Sequence, residues 1–200
     1  FTKTDINISI SICYVDIDNG LPVNNQNGNS WSTAYNDLQS CLESLKLETN
    51  GGEVWVKYGE YIPSSVPEWK QRVGKTSGIH QSFSMYDNIR MYGGFDGSET
   101  SRDERNWRDN PTYLSCQINN RVQCQQIIQA ADNTIIDGFI FINAGTGVST
   151  RRRMANSLNL NLVLSSTSGS LGSGVYSNST NIFVVNSIFH KLLAAAKGGA

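Results

Sequence analysis

The sequence predicts an all-β fold: a parallel β-helix, or solenoid, with an amino-terminal strand and a capping α-helix. Three observations predict it. Several short segments alternate apolar and polar residues with period two, the pattern of a β-strand. Glycine-rich and asparagine-rich turns separate these segments, because both residues tolerate the left-handed backbone of tight corners. Similar segments also begin at the evenly spaced positions Asn133, Ser157 and Asn181, and a period of about two dozen residues is the length of one solenoid turn.

Length and charge limit the possible classes of protein. The 200 residues fit one domain, which we divide into a strand and helical cap (1–52), rungs with insertions at 63–81 and 96–110 (53–190), and a low-complexity tail (191–200). The net charge of −1 gives no electrostatic basis for binding nucleic acid or an anionic membrane. No apolar run reaches the length of a membrane span.

Residues 5–14 alternate apolar and polar residues and are predicted to form a strand longer than a rung of the solenoid needs. Its apolar face consists of Ile6, Ile8, Ile10 and Ile12. The strand could lie along the end of the solenoid, or it could pair with a neighbouring subunit and connect copies of the chain. Glycosylation sequons begin at Asn7, inside this strand, and at Asn178, in a predicted turn, so Asn178 is the better candidate for modification.

A turn and a helix follow this strand. Asp16 and Asp18 stand before Asn19-Gly20 and resemble half of a calcium loop that lacks its bidentate glutamate, so a simple turn is the alternative. Ser30 or Ser32 is then predicted to cap a helix over residues 33–47, which has one apolar face. One helix before a run of strands predicts a lid over an exposed sheet edge.

The first predicted rung strand covers residues 53–62, with Gly59 at its corner. A long loop at residues 63–81 follows and contains Trp69. Long loops on rigid scaffolds are where binding residues are usually placed, although a tolerated insertion would look the same.

The clearest sequence signal lies at residues 88–115. A short strand ends at Gly93-Gly94, a polar loop follows, and the chain returns to a strand near Tyr113. Several positions in this stretch match a segment that is typical of a known family: residues 91–95, Glu99, Thr100, Arg105, Trp107 and 110–115. Together with residues 30–42 and 53–63, they resemble the secreted right-handed parallel β-helix proteins of the pectin-lyase-like superfamily, in the branch that contains polymorphic outer-membrane-protein repeats. The resemblance covers about residues 12–145 and implies a right-handed β-helix outside the cell.

Four cysteines permit three complete pairings. If the protein is exported, we favour Cys13–Cys41, which would join the first strand to the cap helix, and Cys116–Cys124 within one rung. Buried free thiols in a cytosolic protein are the alternative. The chain has no CxxC pair, so we do not expect a zinc site.

We assign no catalytic residue. Glycoside hydrolysis needs two carboxylates in one groove, and the rungs offer only Asp87, Asp132 and Asp137. Trp31 and Trp107 match positions of the resembled family and are interpreted as packing residues. Trp55 and Trp69 remain as candidates for stacking on a sugar.

The sequence therefore predicts a secreted structural or adhesive surface protein, without a cofactor unless calcium binds at Asp16 and Asp18. The last forty or so residues contain no cap, so we expect either that the chain is truncated or that another subunit covers this end. The second alternative predicts head-to-tail self-association into a filament. The alternative prediction is a carbohydrate-active enzyme or a carbohydrate-binding module that acts on acidic polysaccharide.

Overall fold

The computed structural model describes residues 10–118, 121–122, 124–144, 158–164, 169–171, 174–177 and 181–190. The strands in this part of the chain are β1 (Ser11–Val15), β2 (Gly52–Lys57), β3 (Gly59–Tyr61), β4 (Phe83–Ser84), β5 (Arg90–Phe95), β6 (Thr112–Ser115), β7 (Gln117–Ile118), β8 (Arg121–Val122), β9 (Ile128–Ala130), β10 (Ile135–Asp137), β11 (Phe139–Ile142), β12 (Leu158–Leu164), β13 (Gly169–Leu171), β14 (Val175–Ser177) and β15 (Ile182–His190). The α-helices are α1 (Leu38–Ser44) and α2 (Glu68–Arg72), and short 3-10 helices cover Val23–Asn25, Trp31–Thr33, Gly78–His80 and Arg102–Glu104.

Most strands belong to one sheet in the order β1-β2-β5-β10-β15-β11-β6-β3. Neighbours along this path are parallel. The first half of β15 pairs with β10 and its second half with β11, so one long strand joins both halves of a half-barrel. A second sheet has the order β13-β14-β9-β4, and β7 pairs with β8 in a third.

The predicted right-handed β-helix is therefore wrong as a fold class: the described residues form a curved, mainly parallel half-barrel with a smaller second sheet and two α-helices. Period-two alternation identifies strands, but it does not show which strands continue into one sheet. The even spacing also misled the prediction, because it counted the LNLNLVL segment as a turn of the solenoid. That segment is β12, which runs antiparallel along β15.

The edge predicted to be open is also paired. Phe183 of β15 has Ile135 of β10 on one side and Val163 of β12 on the other. The described part of β15 is thus covered on both sides, and the expected free edge at this end is not found there.

Asparagines stack at the corner before the parallel strands. Asn88, Asn133 and Asn181 have φ values of 63°, 56° and 58°. Asn133 Nδ2 donates to Asn88 Oδ1 over 3.3 Å, and Asn181 Nδ2 donates to Asn133 Oδ1 over 2.9 Å. Gly51 has a φ of 69°, and an added Cβ there would collide with the Asn88 carbonyl. The asparagine-rich turns therefore do form left-handed corners, as the sequence predicted.

The core consists of apolar residues aligned from strand to strand. One buried row contains Cys13, Val54, Met91, Ile136 and Val184. A second contains Tyr61, Leu114, Phe141 and Phe189. The second sheet adds Phe83, Ile128 and Val175. These residues belong to one cluster, so both sheets face a common interior.

A separate aromatic cluster lies on the outer face of the main sheet. Trp55 stacks on Phe95 with 4.8 Å between ring centroids, and Trp31 also contacts Phe95. Trp31 Nε1 donates to the Glu99 carbonyl over 2.9 Å and so holds the loop at residues 96–111 over the cluster. Trp107 lies in the same loop against Gly94, where the φ of 95° and the lack of space both require glycine. Trp31 and Trp107 are thus in packing positions.

The helical cap is present but begins later than predicted. Asp37, rather than Ser30 or Ser32, caps α1, since its carboxylate accepts a hydrogen bond from Ser40 N at 2.8 Å. Of the two predicted serines, Ser30 precedes the 3-10 turn Trp31–Thr33 and Ser32 lies within it. The backbone on both sides of this turn covers the free edge of β1: Tyr14 N donates to the Gly28 carbonyl over 2.9 Å, and Tyr35 N donates to the Tyr14 carbonyl over 3.0 Å.

Both predicted disulfides are formed. Cys13–Cys41 joins β1 to α1, and Cys116–Cys124 links the end of β6 to the segment after β8. Two disulfides are compatible with an oxidising compartment. Among the described residues, no helix combines the length and apolar character that crossing a membrane requires.

Candidate functional site

A groove of about 320 Å³ lies over the outer face of the second sheet, beside α2 and the end of α1. Its less polar lining consists of Pro67, Trp69, Met85 and Tyr86. Its polar and charged lining consists of Lys46, Glu68, Arg72, Ser84 and Gln129. The volume lies at the lower end of the range typical of small-molecule sites.

Trp69 is the most exposed aromatic side chain in the lining. It lies on α2, which begins directly after Pro67, and 44% of the residue is exposed. The Lys70 ammonium lies 5.6 Å from its ring centroid. A large aromatic side chain so exposed at a cavity is an available stacking surface.

Lys70 fixes the loop that presents Trp69. Its buried ammonium donates to the His80 carbonyl over 3.2 Å and lies 3.5 Å from Ser82 Oγ. Burial, followed by the positive charge of Lys75, lowers the pKa of Lys70 to about 8. No carboxylate lies within ion-pair distance of it in the described part of the chain. This lysine therefore connects α2 to the end of the loop, and no carboxylate in the described part of the chain neutralises its charge.

The floor of the groove is formed by two uncharged side chains in register. Ser84 of β4 pairs with Gln129 of β9. Their neighbours Phe83, Ile128 and Ala130 are buried in the core, so alternation along the strands directs Ser84 and Gln129 outwards. Gln129 Oε1 is shielded from solvent and has no hydrogen-bond partner among the described residues. An unpaired buried carbonyl costs about 1–3 kcal/mol.

Three charged side chains form the rim. Glu68 lies 3.7 Å from Lys46 Nζ and 3.4 Å from Arg72 NH2, so it interacts with both cations. Lys46 Nζ also lies 5.1 Å from the ring centroid of Tyr86. Burial, and then the charges of Glu43 and Glu68, raise the pKa of Tyr86, which keeps the phenol protonated and able to donate a hydrogen bond.

Of the two tryptophans predicted to contact sugar, only Trp69 lines this groove. Trp55 is 3% exposed, stacks on Phe95 and donates from Nε1 to Glu53 Oε2 over 2.9 Å. A ring covered in this way has no free face for a ligand. Trp55 therefore belongs to the outer aromatic cluster, and we do not retain it as a sugar contact.

Asp16, one of the two residues considered for calcium, has partners within the protein. Asp16 Oδ2 accepts a hydrogen bond from Lys57 Nζ at 2.9 Å, and its Oδ1 accepts one from Asp18 N at 3.0 Å. The carboxylate of Asp16 is thus paired with the ammonium of Lys57. The described residues contain no group of three or more His, Cys, Asp or Glu placed to hold a metal ion.

The rung carboxylates serve the fold. Asp137 is paired with Arg105 at 2.7 Å and accepts a hydrogen bond from Asn186 at 2.9 Å. Asp87 accepts a hydrogen bond from the backbone N–H of Asp132 at 3.0 Å. None of these three residues lines the groove.

The remaining predicted residues lie at the first described strand or outside the described segments. Ile6, Ile8 and both sequon asparagines, Asn7 and Asn178, are outside the described residues. Ile10, the first described residue, is 38% exposed. Ile12 packs against the outer aromatic cluster. The structure therefore places one residue of the proposed assembly strand, Ile12, in an intramolecular contact.

Sequence reasoning missed Ser84, Tyr86 and Gln129. A signal for Gln129 was available, because a polar residue between Ile128 and Ala130 must face outwards in a strand. Ser84 gave little signal because β4 is only two residues long. Nothing in the sequence showed that the loop containing Trp69 folds over these strands.

Comparison with known proteins identified no relatives: no protein-family model, no curated protein and no solved structure matches the chain.

Proposed function

We propose that this protein is a secreted adhesive or structural surface protein that binds a saccharide in the groove at Trp69. The observation that carries the proposal is a half-exposed tryptophan beside a floor of uncharged hydrogen-bonding side chains. Sugars have an apolar C–H face and a rim of hydroxyls. A tryptophan ring matches the face by contact area, and Ser84 and Gln129 match the hydroxyls.

Binding without turnover fits the lining better than hydrolysis does. Among the described residues, Glu68 is the single carboxylate that lines the groove, and hydrolysis of a glycosidic bond uses two. Glu68 is also engaged with Lys46 and Arg72. The groove supplies a platform, an amide, a hydroxyl and a phenol, which are groups that recognise a ligand rather than transform it.

The proposed extracellular or cell-surface location is supported by Cys13–Cys41 and Cys116–Cys124, since disulfides persist in oxidising compartments. Head-to-tail filament formation remains a prediction. Negative-stain microscopy over a concentration series, with the full chain and a chain lacking residues 1–12, tests it. Polymers formed equally by both proteins would show that the first strand does not connect the subunits.

Calorimetric titration with a panel of oligosaccharides tests the proposed function. We expect Trp69→Ala to weaken binding about tenfold or more, because a buried aromatic contact contributes about 1.5–3 kcal/mol. Tyr58→Ala is the matched control, because Tyr58 is 43% exposed against 44% for Trp69 and does not line the groove. Absence of binding to every saccharide, or equal binding by the Trp69 variant, would overturn the proposal.

A further inference from the structure

The contacts of Lys70 indicate how the groove keeps its aromatic surface ready for a ligand, an inference that rests on the proposed function. We propose that Lys70 is a positioning residue for saccharide binding: its ammonium covers one face of the Trp69 ring and holds the ring so that a saccharide can stack on the other face. Lys70 is 3% exposed and is not among the described residues that line the groove, so it acts through Trp69 rather than by touching the ligand.

The ammonium of Lys70 lies between the end of the loop and the ring. It donates to the His80 carbonyl over 3.2 Å, lies 3.5 Å from Ser82 Oγ, and lies over the Trp69 ring, 5.6 Å from its centroid. A cation at this distance is attracted by the negative face of an aromatic ring, and more strongly where both groups are desolvated. The ammonium carries three N–H donors, so one remains for the ring when the others serve His80 and Ser82.

The base of the loop has hydrogen bonds that do not involve the Lys70 side chain. Ser82 N donates to the Ser65 carbonyl over 3.1 Å, and Gln81 Nε2 donates to the Ser64 carbonyl over 2.7 Å. Removal of the ammonium should therefore leave the loop folded and should mainly release the orientation of the Trp69 ring.

The charge of Lys70 is unfavourable for folding. Its contacts are a carbonyl, a hydroxyl and a ring, all uncharged, and the ionisable group whose charge acts on it is the like-charged Lys75. A buried ammonium without a carboxylate partner lowers the free energy of unfolding. Methionine has a similar length and no charge, so Lys70→Met removes this cost together with the cation over the ring. Stability and saccharide binding should then change in opposite directions, which a lysine that served the fold alone would not produce.

Calorimetric titration with hexasaccharides of glucose, N-acetylglucosamine and galacturonate, together with urea unfolding, tests this inference. We expect Lys70→Met to bind the tightest of these ligands about threefold or more weakly than wild type at pH 7, and to unfold at a higher urea concentration. Lys75→Met removes an exposed neighbouring charge and should bind like wild type at this pH.

The pH profile of binding isolates the charge on Lys70. Burial lowers the pKa of Lys70 to about 8, and a neutral amine is not held by the ring in this way. The wild-type affinity should therefore fall about twofold or more between pH 7 and 9.5, and the affinity of Lys70→Met should change less over the same range. Parallel profiles, or equal affinities at pH 7, would overturn the inference and leave the proposed function standing. Weaker binding by a variant that also unfolds at a lower urea concentration would assign Lys70 to the fold and overturn the inference as well.

The indole N–H of Trp69 gives a measurement that needs no ligand. Its heteronuclear Overhauser effect should be lower in Lys70→Met than in wild type, because the released ring moves more. An unchanged value would overturn the positioning role whether or not a hexasaccharide binds. Absence of binding to all three hexasaccharides, with a lowered value in the variant, would count against the proposed function instead.

Discussion

The side chain of Gln39 completes the edge of the second sheet at Ser84. Gln39 Oε1 accepts a hydrogen bond from Ser84 N at 2.8 Å, and Gln39 Nε2 donates to the Ser84 carbonyl over 3.4 Å. One buried side chain on α1 thus occupies the place of a further strand beside β4. The predicted lid over an exposed sheet edge is achieved here by an amide that imitates a peptide group.

Replacement of Gln39 by leucine should expose this edge. We expect a loss of about 1–3 kcal/mol in the free energy of unfolding, because the backbone N–H and C=O of Ser84 lose their partners. Urea unfolding measures the loss. Gln81→Leu removes an exposed hydrogen bond to Ser64 and serves as the control. An unchanged free energy for Gln39→Leu would show that the amide does not support the edge.

Lys70 should make stability depend on pH. Its pKa is lowered to about 8 in the folded protein, whereas an unfolded lysine titrates near 10.4. Between these values the unfolded chain binds more protons, so stability rises as pH rises. We expect deprotonation of Lys70 to increase the free energy of unfolding by about 1–2 kcal/mol from pH 7.5 to 9.5.

Urea unfolding of Lys70→Met over the same range isolates this effect. The variant should lose the increase and should be more stable than wild type at pH 7.5, because the buried charge is gone. Lys75→Met, at an exposed neighbouring position, should largely keep it. The range ends at pH 9.5 because Tyr61 has an opposite effect at higher pH. Burial raises the pKa of Tyr61 in the folded protein. The free energy of unfolding therefore falls once the phenol of the unfolded chain ionises near pH 10. Parallel curves for wild type and Lys70→Met would contradict the prediction.

The two disulfides should contribute different amounts to the free energy of unfolding. Cys13–Cys41 spans 28 residues and Cys116–Cys124 spans 8. Loop-closure entropy predicts losses of about 3.5 and about 2.5 kcal/mol on removal of the first and the second. Unfolding of the two double alanine variants measures the difference. A larger loss for the Cys116–Cys124 pair would contradict this order.

Asp137 should matter for stability and not for saccharide binding. Asp137→Ala leaves Arg105 without its carboxylate partner in a largely buried position, which costs about 3–5 kcal/mol. Calorimetry at a temperature where the variant is folded should give wild-type affinity for saccharide. Unchanged stability with lost binding would place Asp137 in a functional site instead.

The sequence predicted local structure better than it predicted the arrangement of strands. The asparagine corners and the strands around Val54 and Met91 depend on nearby residues and were predicted correctly. The two favoured cysteine pairs are also formed. The antiparallel pairing of β12 with β15 was not predicted. The segment LNLNLVL shows the same alternation whether its strand is parallel or antiparallel to its partner. Trp69 was identified as an exposed candidate, but Gln129 and Tyr86 join it only through a loop fold that alternation does not determine.

The most direct test of the saccharide groove is a two-dimensional NMR titration with the tightest oligosaccharide found. We predict saturable shifts of the Trp69 indole N–H and the Gln129 side-chain amide, with little change at the indole N–H of Trp55, which is bonded to Glu53 under the outer aromatic cluster. Saturable shifts that spare Trp69 and Gln129, or no shifts at all, would contradict binding in this groove.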